Sequence, residues 1–216
     1  MGEYLSNSIY QQQILTDFTQ HLYLSFVPIL VALVVAVPLG WVATKAPLAR
    51  AVILATTSVI YTIPSLALFV ALPFILGTPF TGSINIVVAL SAYTICLLTR
   101  STVGALDALP VSTLTAATAM GFAPARRFLT VELPLAVPVI AAGLRVAVVS
   151  NVSLVSIGAL IGTGGLGELF TFGFARSYLP PQFTGIVLIA VIALVGDALV
   201  VLAQRALTPW QRAGAA

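Results

Sequence analysis

The 216-residue sequence predicts an all-α integral membrane protein with about five transmembrane helices. Three observations predict it. Hydrophobic residues make up 60% of the chain and charged residues only 7%, against about 25% charged in soluble domains. Mean hydropathy is +1.12, more apolar surface than a soluble domain of this size can bury. The apolar residues come in runs of about 20, the length that crosses about 30 Å of hydrocarbon, with short polar stretches between them. Lipid is the solvent for most of this chain.

Residues 1–20 are polar, with Glu3 and Asp17 and no Lys or Arg, and read as a short amphipathic or surface helix outside the membrane. They lack a basic region, so no cleavable signal peptide is expected. A first span runs from about Leu22 to Thr44. Pro28 and Pro38 fall inside it, which neighbouring helices make tolerable by satisfying the freed carbonyls. Tyr23 and Trp41 lie near its ends, as interfacial aromatics do. His21, at the boundary, reads as a wetted interface residue, because no second metal ligand is near it.

Lys45 to Arg50 is a short basic turn. The next apolar run, about Ala51 to Leu76, carries Pro64 in mid-membrane and reads as one kinked span or two half-helices. After an uncharged turn, a third span covers about Ile84 to Leu98, extending as far as Val103, with Arg100 marking its exit. A fourth covers about Leu135 to Leu160. A Gly-rich connector leads to a fifth, about Phe183 to Ala203. The membrane domain is thus 21–207 and the tail 208–216. Cys96 lies in an apolar run and reads as a small packing residue.

Between the third and fourth spans lies a loop of about 104–134 that a bilayer would not accept. Arg126 and Arg127 are adjacent in it, Glu132 follows, and Pro124 and Pro134 interrupt a continuous helix. Connections without a task are usually shorter, so this one reads as a docking element. If it is cytoplasmic, Lys45, Arg50, Arg100, Arg126, Arg127, Arg205 and Arg212 share its side and only Arg176 lies opposite. That asymmetry is the positive-inside pattern, with the N-terminus outside and the C-terminus inside. It also accounts for the net charge of +3 without nucleic acid as a partner.

The loop carries a resemblance. Thr115-Ala116-Ala117, three residues, Gly121, nine residues, then Val131-Glu132-Leu133-Pro134 matches the spacing of the cytoplasmic signature of permease subunits of binding-protein-dependent ABC importers. Thr115 stands in place of the signature's Glu, and Val131 in place of its Ile. Ile63 to Phe69, Arg100 to Gly104, Val131 to Leu135, Pro138 to Arg145 and Ile161 to Glu168 resemble the osmoprotectant branch, whose cargo is glycine betaine, choline or carnitine. The resemblance covers about residues 20 to 207.

It implies the type I importer permease fold, with the loop as a cytoplasmic coupling helix. It further implies a cytoplasmic ATPase dimer that binds ATP and Mg, a second permease copy or sister permease, and an external substrate-binding protein. The location implied is the bacterial cytoplasmic membrane. In this family Gly121 would allow a sharp turn, Phe122 and Phe128 would be apolar anchors, and Arg126 and Arg127 would contact the ATPase or lipid headgroups. The same machinery carrying an amino acid or another betaine, or a passive channel or scaffold, are the alternatives.

Few residues could carry chemistry. Gly162, Gly164 and Gly167 fit a dinucleotide fingerprint, but no cytosolic strand-helix unit surrounds them. Gly164 and Gly165 read instead as a tight turn or gate near the outer mouth. Ser150, Asn151, Ser153 and Ser156 interrupt the fourth span, and polar groups there face other helices or a pathway rather than lipid. Arg145 and Asp197 are the charges embedded in spans and form a candidate ion pair. One His, one Cys and few carboxylates offer no nucleophile–base set and no metal cluster, so the chain is expected to be a transport subunit without a cofactor of its own.

Overall fold

In a computed structural model, the structure describes residue 4 and residues 6–210; Glu3 and Arg212 lie outside the described residues. The first helix, α1 (Ser8–Ala43), has 36 residues, about 54 Å at the α-helical rise. The polar stretch is therefore no separate surface helix. It is the N-terminal end of the helix that forms the first span. Asn7 caps it by accepting the Ile9 N–H at 2.9 Å, and no Gly or Pro occurs before Pro28 to break it.

The second apolar run forms two helices, α2 (Pro47–Thr62) and α3 (Ser65–Leu76), bent by 101°. The cause is local. Pro64 excludes Ile63 from the helical region, and Ile63 sits at φ −66°, ψ 128°. The Ile63 carbonyl freed by this break accepts a hydrogen bond from the Tyr93 hydroxyl.

Helix α4 (Ser83–Asp107) runs a turn beyond Val103. Arg100 lies within this helix, where its guanidinium donates to the Leu54 carbonyl and the Ser58 hydroxyl of α2. The segment that follows is mostly helical: α5 (Val111–Ala119), α6 (Pro124–Arg127) and a π-helical turn (Phe128–Glu132). The last runs straight into α7 (Leu133–Gly158), then a 3₁₀ turn (Ala159–Ile161), α8 (Glu168–Ala175) and α9 (Leu179–Leu207).

Pro134 therefore does not interrupt the chain's helical course. The wide turn, in which Leu133 N–H reaches back to the Phe128 carbonyl, relieves the clash a proline ring makes with the carbonyl four residues earlier. The segment expected to dock is continuous with the fourth span on one side. Mechanically, that makes it an extension of α7.

Among the described residues, four helices are long and apolar enough to cross a membrane, and a fifth crossing results if the bent α2–α3 pair counts as one. Helix α4 is central: 67% of its apolar window is buried, against 11% for α9. It packs on α1, α7 and α2. Close approach uses small residues, as in membrane helix pairs generally. A Cβ on Gly143 would lie 2.3 Å from the Ser101 hydroxyl, and one on Gly40 would lie 2.6 Å from Thr102.

Candidate docking segment and mid-bundle cavity

At one end of the bundle the docking segment is shaped by its own capping. Gly121 follows α5 in the left-handed region, φ 82°. Its N–H bonds the Thr118 carbonyl and the Phe122 N–H bonds the Ala117 carbonyl, closing the helix end. Open space surrounds Gly121, so the backbone angle, not crowding, selects glycine here. Thr115 and Ala116 are exposed on α5, and Ala117 is buried beneath them. The Thr115 hydroxyl is turned back to the Val111 carbonyl at 2.9 Å.

The aromatic and basic residues divide between two faces. Phe128 is buried, its ring 4.9 Å from that of Trp41, among Leu106, Ala136 and Ile140. It anchors the segment to the bundle instead of facing outward. Arg127 also turns inward: Nε lies 2.6 Å from Glu132 Oε1, and Nη1 donates to Thr118 Oγ1 at 2.7 Å. The buried Glu132 carboxylate requires such a partner, and that demand draws Arg127 off the surface. Arg126 stays exposed, its guanidinium 5.0 Å above the half-buried Phe122 ring. Leu133 and Pro134 are half-buried at the start of α7. Arg50 and Asp107, whose pairing the sequence does not signal, form a bidentate pair between α2 and the end of α4 at 3.0 and 2.6 Å.

Near mid-bundle, a cavity of about 230 Å³ opens between the α2–α3 bend, α4 and α7. Tyr61, Ser65, Tyr93, Thr94, Ser150 and Asn151 supply its polar and aromatic lining, and none of its lining residues is charged. Of the polar residues expected on a pathway, Ser150 and Asn151 are brought here. Asn151 is also packing glue: its Oδ1 accepts from Thr94 Oγ1 at 3.1 Å, and its Nδ2 points to the Ser25 carbonyl at 3.4 Å. Ser153 is exposed on another face of α7 and does not join the cavity.

A neighbouring groove of about 390 Å³ shares Ser150 and holds Arg145 and Asp197 on its wall. Arg145 Nε and Nη2 donate to the two Asp197 oxygens at 2.6 and 2.9 Å, joining α7 to α9. Neighbouring helices bring the two spans' embedded charges together.

The Gly-rich connector lies at the opposite end from the docking segment. It is a buried, tightly held turn. Gly164 and Gly165 have φ of 86° and 82°. Gln20 clamps the loop from α1, donating to the Thr163 carbonyl at 2.8 Å and accepting the Gly165 N–H at 3.3 Å. His21 is wholly buried, so it is not a wetted interface residue. Nδ1 accepts the Leu166 N–H at 3.3 Å and Nε2 faces the Val152 carbonyl at 3.0 Å. An acceptor at Nδ1 and a donor at Nε2 define the neutral Nε2–H tautomer. The sequence hint was only a polar pair, Gln20-His21, at the head of an apolar run.

The profile of the family described as "Binding-protein-dependent transport system inner membrane component" matches residues 36–212. The chain is 35% identical over 192 residues to the osmoprotectant import permease protein OsmW of Salmonella typhimurium, covering 88% of this chain and 89% of that protein. It is 31% identical over 197 residues to the glycine betaine/carnitine/choline transport system permease protein OpuCD of Bacillus subtilis, covering 91% and 85%. The backbone superposes on a chain of the inward-facing MetNI methionine ABC transporter with a TM-score of 0.83 at 24% identity, covering 94% of this chain and 99% of that one.

Proposed function

This chain belongs to the family of inner-membrane components of binding-protein-dependent transport systems, and from that premise we propose its place in the assembly and its cargo. It is the membrane-spanning permease subunit of an ABC importer, with the helical fold of that class. The cargo is a small quaternary-ammonium osmoprotectant of the glycine betaine, choline or carnitine kind. Relatives named for such cargo align over nearly the whole chain.

A cytoplasmic ATPase dimer binds ATP and Mg and seats on the docking segment. A second permease, identical or sister, completes the pathway. An external binding protein delivers cargo at the Gly-rich end. The docking end faces the cytoplasm, in keeping with Lys45, Arg50, Arg126 and Arg205 lying toward it.

The observation that carries the docking role is the build of residues 111–134. Exposed Thr115, Ala116, Gly121 and Arg126 form its outer surface, while Ala117, Phe128 and the Arg127–Glu132 pair fix it from within. Because π-turn and α7 are continuous, a push on the segment moves a helix that lines the cavity. Co-expression with the candidate ATPase tests this. The wild type is expected to co-purify with it, and Gly121→Val, strained at φ 82°, to lose most of that binding while inserting normally. Normal insertion of both with no ATPase bound to either removes the docking role.

A further inference from the structure

We propose that the bend cavity is a subsite on the transport path that holds the methylated ammonium head of the cargo against Tyr61 and Tyr93. This deepens the reading above and rests on its choice of quaternary-ammonium cargo. The two rings stand at 85° with centroids 5.8 Å apart, and both line the cavity. Tyr93 is fixed, because its hydroxyl is committed to the Ile63 carbonyl at the helix break. Tyr61 lines the cavity and is 53% exposed, so its ring is not covered by packing.

The rest of the lining decides which cation fits. It contains no carboxylate. Thr94 Oγ1 is directed at the Leu90 carbonyl and Asn151 Oδ1, and Asn151 Nδ2 at the Ser25 carbonyl. A primary ammonium entering here would exchange three hydrogen bonds to water for the uncharged hydroxyls of Tyr61, Ser65 and Ser150, with no carboxylate to balance its localised charge, a costly desolvation. A quaternary ammonium has no N–H to satisfy, and its charge is spread over methyl groups. Attraction to an aromatic face is the interaction this lining offers it. At about 230 Å³ the space also lies below the size of pockets for drug-sized ligands. It suits a small solute.

Its position suits a transient stop. Tyr61 lies in the last turn of α2, just before the 101° bend, and Ser150 lines both this cavity and the groove of Arg145 and Asp197. Cargo at this point would touch α2, α4 and α7 together. A movement of α7 relayed from the docking segment would then alter the subsite directly.

The test uses the complete importer, with its ATPase, permease partner and binding protein, reconstituted in liposomes and supplied with labelled choline or glycine betaine. Wild type is expected to take up at least one of them. Tyr61→Phe is expected to stay within about twofold of wild type and Tyr61→Leu to lose about tenfold in uptake, the scale of a desolvated cation–π contact. The isolated binding protein's affinity and the co-purification of ATPase are expected to be unchanged. Tyr61→Trp supplies a ring whatever the fate of Tyr61→Leu, and is expected to hold uptake. Wild-type uptake from Tyr61→Leu, or equal loss from the Phe, Trp and Leu variants, overturns the subsite while leaving the cargo reading intact. A wild type that moves only primary-amine amino acids overturns the cargo reading, and the subsite with it.

Discussion

Arg145 and Asp197 meet in a two-bond ion pair, Nε to Oδ1 at 2.6 Å and Nη2 to Oδ2 at 2.9 Å, that ties α7 to α9. Helix α9 is the least buried of the long helices, and this pair is a polar tie that holds it to the bundle. Reversing either charge alone places two like charges together at membrane depth. Arg145→Asp or Asp197→Arg is expected to reduce the yield of inserted, detergent-stable protein sharply, and the double reversal to recover most of it. Size-exclusion chromatography of the three variants checks this. A double variant no better than the singles would remove the pair's structural role.

A second ion pair sits inside the docking segment. Glu132 is buried and depends on Arg127. Arg127→Ala strands a buried carboxylate, at a cost of about 3 kcal/mol, and is expected to lower the thermal unfolding midpoint. Adding Glu132→Gln removes the stranded charge and is expected to recover part of the loss. Arg126→Ala, at an exposed position, is expected to leave the midpoint unchanged and to weaken ATPase co-purification instead. The two neighbouring arginines thus separate by assay.

The Gly-rich turn gives a steric prediction. A Cβ on Gly164 would fall 2.2 Å from Gln20 Oε1, and φ there is 86°. Gly164→Ala therefore carries both a clash and backbone strain, the latter about 1 kcal/mol. Gln20→Ala in the same chain relieves the clash alone. A double-mutant cycle read by thermal unfolding is expected to show favourable coupling between the two substitutions. Additive losses would mean that the amide does not seat the loop.

His21 makes a different contribution to the same turn. His21→Leu keeps most of the volume and leaves the Leu166 N–H without its acceptor, a cost of about 1–3 kcal/mol for a buried donor. His21→Asn restores an acceptor only if its shorter side chain reaches. Limited proteolysis of the 162–167 turn is expected to be faster in His21→Leu than in wild type. Equal rates would show that the clamp rests on Gln20.

Much of the fold was legible in the residues because lipid imposes a severe rule: long apolar runs must be helices that satisfy their own backbone. The spans, the Pro64 break and the Gly121 turn all follow from local chemistry. Proline excludes an α-helical neighbour before it, and a left-handed helix end favours glycine. The spacing of Thr115 to Gly121 was readable for the same reason, since capping positions are fixed by chain distance.

Local chemistry misjudged what packing later decided. Polar residues at the head of an apolar run suggested a wet boundary for His21, whereas α1 extends far enough for the connector to bury it. Pro134 suggested a break, whereas a π turn absorbs it. Arg127 suggested an outward face, whereas Glu132 draws it in.

The sequence by itself determined the class of solvent, the order of the apolar helices, and the polar segment between the third and fourth of them, because composition, run length and capping are properties of neighbours along the chain. The tertiary structure alone decided which polar groups meet. Tyr61 with Tyr93, Gln20 with Thr163, and Arg145 with Asp197 are separated by 32, 143 and 52 residues. Helix packing sets those meetings, and no periodicity in an apolar chain encodes which face of one span will turn toward another.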